Sequence, residues 1–146
     1  MTPYGKTAQT AIAAVSRLAE VYSKDNTVKL SSADIAQNRN LPQPVVAKVL
    51  TILSQAGIVH GSPGPGGGYW LTHHPEKISL FQVVSLFERL DKNVICPYGP
   101  DYCSTGPQCP LHDEMITFRE QLTSFLKSTT FARFVGWKPE PAKTKR

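Results

Sequence analysis

Three cysteines fall within one short stretch of this chain, at Cys96, Cys103 and Cys109, and Pro110, Leu111, His112 and Asp113 follow directly. Thiolates are soft ligands and imidazole suits many metals, so Cys96, Cys103, Cys109 and His112 can supply a complete four-donor set. Pro110 marks a helix start, and the free N–H groups and positive dipole end of a helix N-terminus stabilise nearby thiolates. Asp113 can orient the His112 ring, or can be an ordinary first-turn carboxylate. The intervals of six and five residues lack the close pairs that structural zinc sites favour. Wide spacing on a loop suits an iron-sulfur cluster better, because a larger object must be wrapped. Zinc binding and thiol sensing without iron remain open as alternatives. Three inert thiols fit poorly, because buried structural cysteines belong to apolar periodic segments and these do not.

The elements that must position these groups can be read from periodicity. From about Pro3 to Tyr22, Ile12, Val15, Leu18, Ala19 and Tyr22 recur at helical spacing and predict a long first helix. A β-prone stretch around Val28 and Leu30 leads to Ser31 and Asp34, a capping-box pair that opens a short second helix over about Ser32 to Asn38. Asn38 to Pro42 is a turn. Pro42 and Pro44 then suit the start of a third helix, with Val45, Val46, Val49, Leu50 and Leu53 on its buried side and Gly57 as its stop. Helix, tight turn and helix make a helix-turn-helix. Ile58-Val59-His60 and Tyr69-Trp70-Leu71 flank a glycine-rich tip and predict a β-hairpin directly after it. That order is a winged helix.

Ser79 and Gln82 repeat the capping-box spacing, and Val83, Val84, Phe87 and Leu90 give the helix that follows an apolar face. Periodicity then vanishes through the cysteine segment, an uncommon length for a connection without a task. Beyond it, Met115, Phe118, Leu122 and Phe125 form the seam of packed helices, from which we expect a homodimer, with packing on the chain's own domain as an alternative or an addition. The expected architecture is mainly α: a winged helix-turn-helix with a β-hairpin wing and a long C-terminal dimerisation helix. Residues 1–78 would form the DNA-binding domain, 79–136 the dimerisation helices with the cysteine loop at 91–112, and 137–146 a disordered basic tail.

At 146 residues and 40% apolar, the chain can build one domain with a core and an appended helix. Its net charge of +5 is uneven: residues 1–64 carry +3, residues 65–136 carry −1, and the last ten residues carry +3. A basic N-terminal half suits a nucleic-acid-facing module. No apolar run spans a bilayer and no signal-peptide segment opens the chain, so it reads as cytoplasmic, where an odd cysteine count argues against a disulfide framework. An enzyme is not expected. The run GPGGGY lacks the lysine and hydroxyl of a phosphate-binding loop, and no hydrolase or metalloprotease motif occurs.

The helix-turn-helix, the wing sequence GPGGGYWL (Gly64 to Leu71), the helix start ISLFQVV (Ile78 to Val84) and the ending CPLHD after the earlier cysteines resemble the bacterial Rrf2 family of winged-helix regulators. The likeness covers nearly the whole chain to about Val135. It implies a dimeric regulator of promoters on double-stranded DNA, whose cluster-bound and cluster-free forms bind differently. Matched motif to motif, Cys96, Cys103 and Cys109 would be cluster ligands. His112 would be the fourth, as in the iron-sulfur branch, which favours [2Fe-2S] over [4Fe-4S]. In the nitric-oxide branch the fourth ligand is a carboxylate from the partner's first helix. Here residues 1–19 contain no Asp or Glu, and the nearest counterpart is Gln9.

The chain departs from the family pattern in two places: the first cysteine interval is six residues rather than the usual five, and Ser62-Pro63 stands where an arginine commonly precedes the wing glycines. His60 or backbone amides of the tip would substitute for that arginine. The expected DNA-binding residues are Gln43 at a base edge, Arg39 and Lys48 at phosphates, and Gly66, Gly67, Gly68 and Tyr69 in the wing.

Overall fold

The computed structural model describes residues 5–25, 27–90 and 108–138. Its helices are α1 (Lys6–Glu20), α2 (Ser32–Arg39), α3 (Gln43–Gln55), α4 (Leu80–Val84) and α5 (His112–Ser128). Strands β1 (Val59–Ser62) and β2 (Gly68–Leu71) form an antiparallel hairpin after α3, and 3-10 turns cover Pro75–Lys77 and Phe131–Phe134.

Helix α1 is the centre of the fold. Ala8, Ala11, Ala14, Val15, Leu18 and Ala19 form one buried stripe, and such small side chains let neighbouring backbones come close. It packs against α2, α3, α4 and the Phe131–Phe134 turn. Each fully buried Val, Leu or Ile in this core contributes about 1.5–3 kcal/mol relative to exposure.

Helix α2 begins on the capping box expected from sequence. The Ser31 hydroxyl accepts from the Asp34 N–H at 3.1 Å, and the Ser31 N–H donates to the Asp34 carboxylate at 3.0 Å. It ends at Asn40, whose left-handed backbone (φ 53°) starts the turn. Pro42 caps α3 and Pro44 lies in its first turn, where no N–H is missed. Val46, Val49, Leu50 and Leu53 are fully buried, whereas Val45 is half-buried against them. Gly57 stops the helix with φ 79°.

The second capping box also forms: Gln82 N–H donates to Ser79 Oγ at 3.1 Å, and Ser79 N–H to Gln82 Oε1 at 2.9 Å. The helix it opens is shorter than the apolar pattern suggests. It stops at Val84, and Phe87 and Leu90 reach the core from the turn that follows. That turn keeps part of the helical pattern, with the Glu88 N–H donating to the Val84 carbonyl at 3.0 Å.

Helix α5 is anchored mainly at its far end. Leu126 is its one buried residue. Beyond it, the Leu80 N–H donates to the Thr129 carbonyl at 2.9 Å and the Phe131 N–H to Ile78 at 3.0 Å, tying the end of α5 to the start of α4. Along the expected seam, Phe118 and Phe125 each remain 51% exposed. No helix among the described residues is long and apolar enough to cross a membrane.

Candidate nucleic-acid interface and cysteine segment

The exposed side of α3 carries Gln43, Pro44, Lys48 and Thr51, opposite the buried valine and leucine face. Gln43 is the first residue of the helix, so its side chain projects from the end that follows the turn. This is the arrangement by which the second helix of a helix-turn-helix offers its N-terminal residues to base edges. Lys48 is exposed one turn later.

The wing is built to a fixed register, Val59 opposite Leu71 and Ser62 opposite Gly68. Its tip closes through a bond from the Gly67 N–H to the Gly64 carbonyl at 3.0 Å. A Cβ on Gly67 would lie 2.2 Å from the Ser62 carbonyl oxygen, so only glycine closes this tip. Gly66 is exposed at the tip, whereas Gly68 is buried and Tyr69 is half-buried. The Tyr69 ring lies across Gly61, where a Cβ would come within 2.8 Å of it. Of the expected wing residues, therefore, Gly66 is the exposed one, half-buried Gly67 closes the tip, and Gly68 and Tyr69 hold its base together.

Sequence reasoning passed over Lys29 and Trp70. The Lys29 ammonium lies 4.9 Å from the centre of the Trp70 ring, whose neighbour is the His60 ring at 5.0 Å. The signal was the short β-prone stretch before α2: pairing Leu30 with Tyr69 sets its neighbour Lys29 beside the wing. A cation is thus held against the Trp70 ring, beside the His60–Trp70 pair of the hairpin.

Arg39, expected at a phosphate, is the last residue of α2. Its guanidinium turns inward, pairing with Glu20 and donating to Ser16 Oγ at 3.0 Å and Asn38 Oδ1 at 2.7 Å. Trp137, assigned to the tail by sequence, covers it, with the guanidinium carbon 5.8 Å from the ring centre. Residues 139–146 of the expected tail lie outside the described residues.

Of the cysteine segment, Cys109 and His112 are described, and Cys96 and Cys103 lie outside the described residues. Cys109 and His112 are both half-exposed, and the His112 N–H donates to the Cys109 carbonyl at 3.0 Å. His112 is the first residue of α5, so both donors stand at a helix N-terminus. Asp113 is an exposed acid in that first turn, a position the helix dipole favours by itself. Gln9 lies half-buried in the first turn of α1.

A helix-turn-helix followed by a glycine-tipped wing, with a long helix beyond it, defines a winged-helix DNA-binding regulator. The Rrf2 family profile, described as an iron-dependent transcriptional regulator, matches residues 6–136, and the chain belongs to that family. A relative from Aquifex aeolicus, described as an HTH-type transcriptional regulator, is 32% identical over 91% of each chain. The HTH-type transcriptional regulator IscR of Klebsiella pneumoniae is 27% identical over 84% of this chain and 75% of its own. Among solved structures, CymR, the global cysteine regulator of B. subtilis, superposes with a TM-score of 0.72 at 20% identity, covering 92% of this chain and 99% of that one. IscR of T. potens gives a TM-score of 0.67 at 19% identity, covering 88% and 82%. The protein is a transcription regulator that binds DNA, and not an enzyme.

Proposed function

We propose that this Rrf2 protein is a homodimeric regulator whose promoter binding is controlled by an iron-sulfur cluster on Cys96, Cys103, Cys109 and His112. The observation that carries the reading is the pairing of two features on one helix. Cys109 and His112 stand half-exposed at its start, and Phe118 and Phe125 lie uncovered along it. The donor chemistry fits. Three thiolates with an imidazole are a set that iron-sulfur centres accept, the resemblance to the family's iron-sulfur branch favours the two-iron form, and neither Cys109 nor His112 is spent in the core.

When bound, the cluster supplies a centre that oxidants and nitric oxide can alter or remove. The chain's own part is mechanical. Holding Cys109 and His112 fixes the first turn of α5, and the far end of α5 is tied to α4 through Leu126 and the Leu80–Thr129 bond. With the Phe118 and Phe125 face closed on a second copy, the start of α5 then sets the separation of the paired α3 helices. A dimer reads half-sites about 34 Å apart, so a small change in that separation alters affinity. Gln43, Lys48, Gly66 and Gly67 make the DNA contacts in this reading, with Gly68 and Tyr69 supporting the wing from within. The family description as iron-dependent supports the assignment.

The test is a visible absorption spectrum with iron and sulfide analysis on anaerobically purified wild type and Cys103→Ala. The expected result is a brown wild type carrying iron and sulfide and a variant depleted of both. A colourless wild type would instead favour the same thiols acting as a redox or zinc sensor without iron.

A further inference from the structure

We propose that Arg39 serves DNA binding as a positioning residue, clamped between Glu20 and Trp137, and does not contact phosphate. Three parts of the chain meet at this clamp: the last residue of α1, the last residue of α2, and the segment after the Phe131–Phe134 turn. The Glu20 side chain is only 3% exposed and the Arg39 side chain 14%. Glu20 holds Arg39 with one carboxylate oxygen and Arg17 with the other, the second at 2.9 Å. Ser16 and Asn38 accept further Arg39 N–H groups.

Trp137 closes the open side of the guanidinium and is itself fixed. Its backbone N–H donates to the Phe134 carbonyl at 3.0 Å, and its ring meets Phe134 edge-on at 5.5 Å. Phe134 in turn packs on Phe131, which is fully buried. The Gly136 N–H donates to the Glu20 carbonyl at 3.4 Å. Three of the five guanidinium N–H groups are thus already engaged within the chain, including both on Nη2. Swinging Arg39 outward would leave the nearly buried Glu20 carboxylate with one cation in place of two, an arrangement burial disfavours.

The consequence for DNA lies one residue further along. Asn40 takes the left-handed conformation that turns the chain toward α3. Fixing Arg39 therefore fixes where that turn begins, and with it the direction in which Gln43 and Lys48 are presented. The clamp also links the segment beyond α5 to the helix-turn-helix within a single chain.

Affinity for a DNA duplex enriched by selection on the wild-type protein would be measured across a salt series for wild type, R39Q, R39K, W137A, the R39Q/W137A double variant and K48A. Unfolding temperatures would be measured alongside. We expect R39Q and W137A each to weaken binding by roughly five- to thirtyfold, and the double variant to bind no worse than the weaker single. The salt slope of R39Q should equal that of wild type, whereas loss of one phosphate contact lowers the slope by about 0.9. R39K should weaken binding almost as much as R39Q, because an ammonium cannot reproduce the guanidinium fork, though it would serve a phosphate well. That comparison decides the matter even if W137A does not fold. A shallower slope for R39Q, near-normal binding by R39K, or affinities unchanged while only the unfolding temperatures fall would each overturn the proposal.

Discussion

Leu30 and Tyr69 exchange both backbone hydrogen bonds, the Leu30 N–H donating to the Tyr69 carbonyl at 3.1 Å and the Tyr69 N–H to the Leu30 carbonyl at 2.7 Å. Through this pair the wing is joined to the residue that leads into α2. Recognition helix and wing therefore rest on one frame, which a two-stranded hairpin alone would not provide.

Gly68 makes that approach possible. Its φ of 150° is a conformation other residues rarely adopt, and a Cβ there would lie 2.9 Å from the Leu30 backbone. Gly68→Ala should destabilise the fold by about 1–3 kcal/mol and weaken DNA binding as the wing loosens. Denaturant unfolding and a mobility-shift titration would measure both. Unchanged values in the two assays would contradict this reading of the wing base.

The opening of α2 carries a pH signature. The Asp34 carboxyl is held below its ordinary range first by the Ser31 N–H and then by the Ser31 hydroxyl. A carboxyl with a lowered folded pKa stabilises the fold above its unfolded pKa, and that contribution is lost as pH falls through the folded value. The difference in unfolding temperature between wild type and Asp34→Asn should be widest near neutrality and close on acidification through the carboxylate range. A difference independent of pH would count against the capping role.

The same chemistry opens α4. Ser79→Ala removes the hydroxyl that accepts from the Gln82 N–H and should cost about 1 kcal/mol. Because α4 meets the end of α5 at Leu80 and Thr129, amide exchange at both residues should quicken together. Faster exchange at only one of them would show that the two ends are not coupled.

The exposed face of α5 predicts self-association. Phe118→Asp with Phe125→Asp places charge on the two large apolar side chains that the single chain leaves half in water. Sedimentation should show a dimer for wild type and a monomer for the double variant, with helix content largely kept because Leu126 still anchors α5. A variant that remains dimeric would move the interface elsewhere.

What could be read from sequence followed the range of the interaction. Both capping boxes, the Gly57 stop and the hairpin were legible because each depends on residues a few positions apart. The end of α4 at Val84 was not, since Phe87 and Leu90 keep an apolar spacing that helix and turn satisfy equally. Arg39 looked like a free cation beside the turn. Its partners Glu20 and Trp137 are distant in sequence, and nothing local distinguishes a clamped guanidinium from a solvated one. Trp137 heads a segment whose prolines and lysines describe a tail, and its ring contact with Arg39 is again long-range in sequence. At the cysteine segment, the placing of Cys109 and His112 at a helix start was legible from Pro110, and Cys96 and Cys103 remain a sequence inference.

In the proposed function the cluster governs promoter occupancy. The direct measurement is the affinity of one anaerobic wild-type preparation for its selected duplex, before and after the cluster is stripped by chelation and oxidant, at fixed salt. We predict a shift of at least about tenfold on stripping, equivalent to about 1.4 kcal/mol, and its reversal on anaerobic reconstitution with iron and sulfide. Identical affinities in the loaded and stripped states, with iron and sulfide verified in the first and absent from the second, would contradict it.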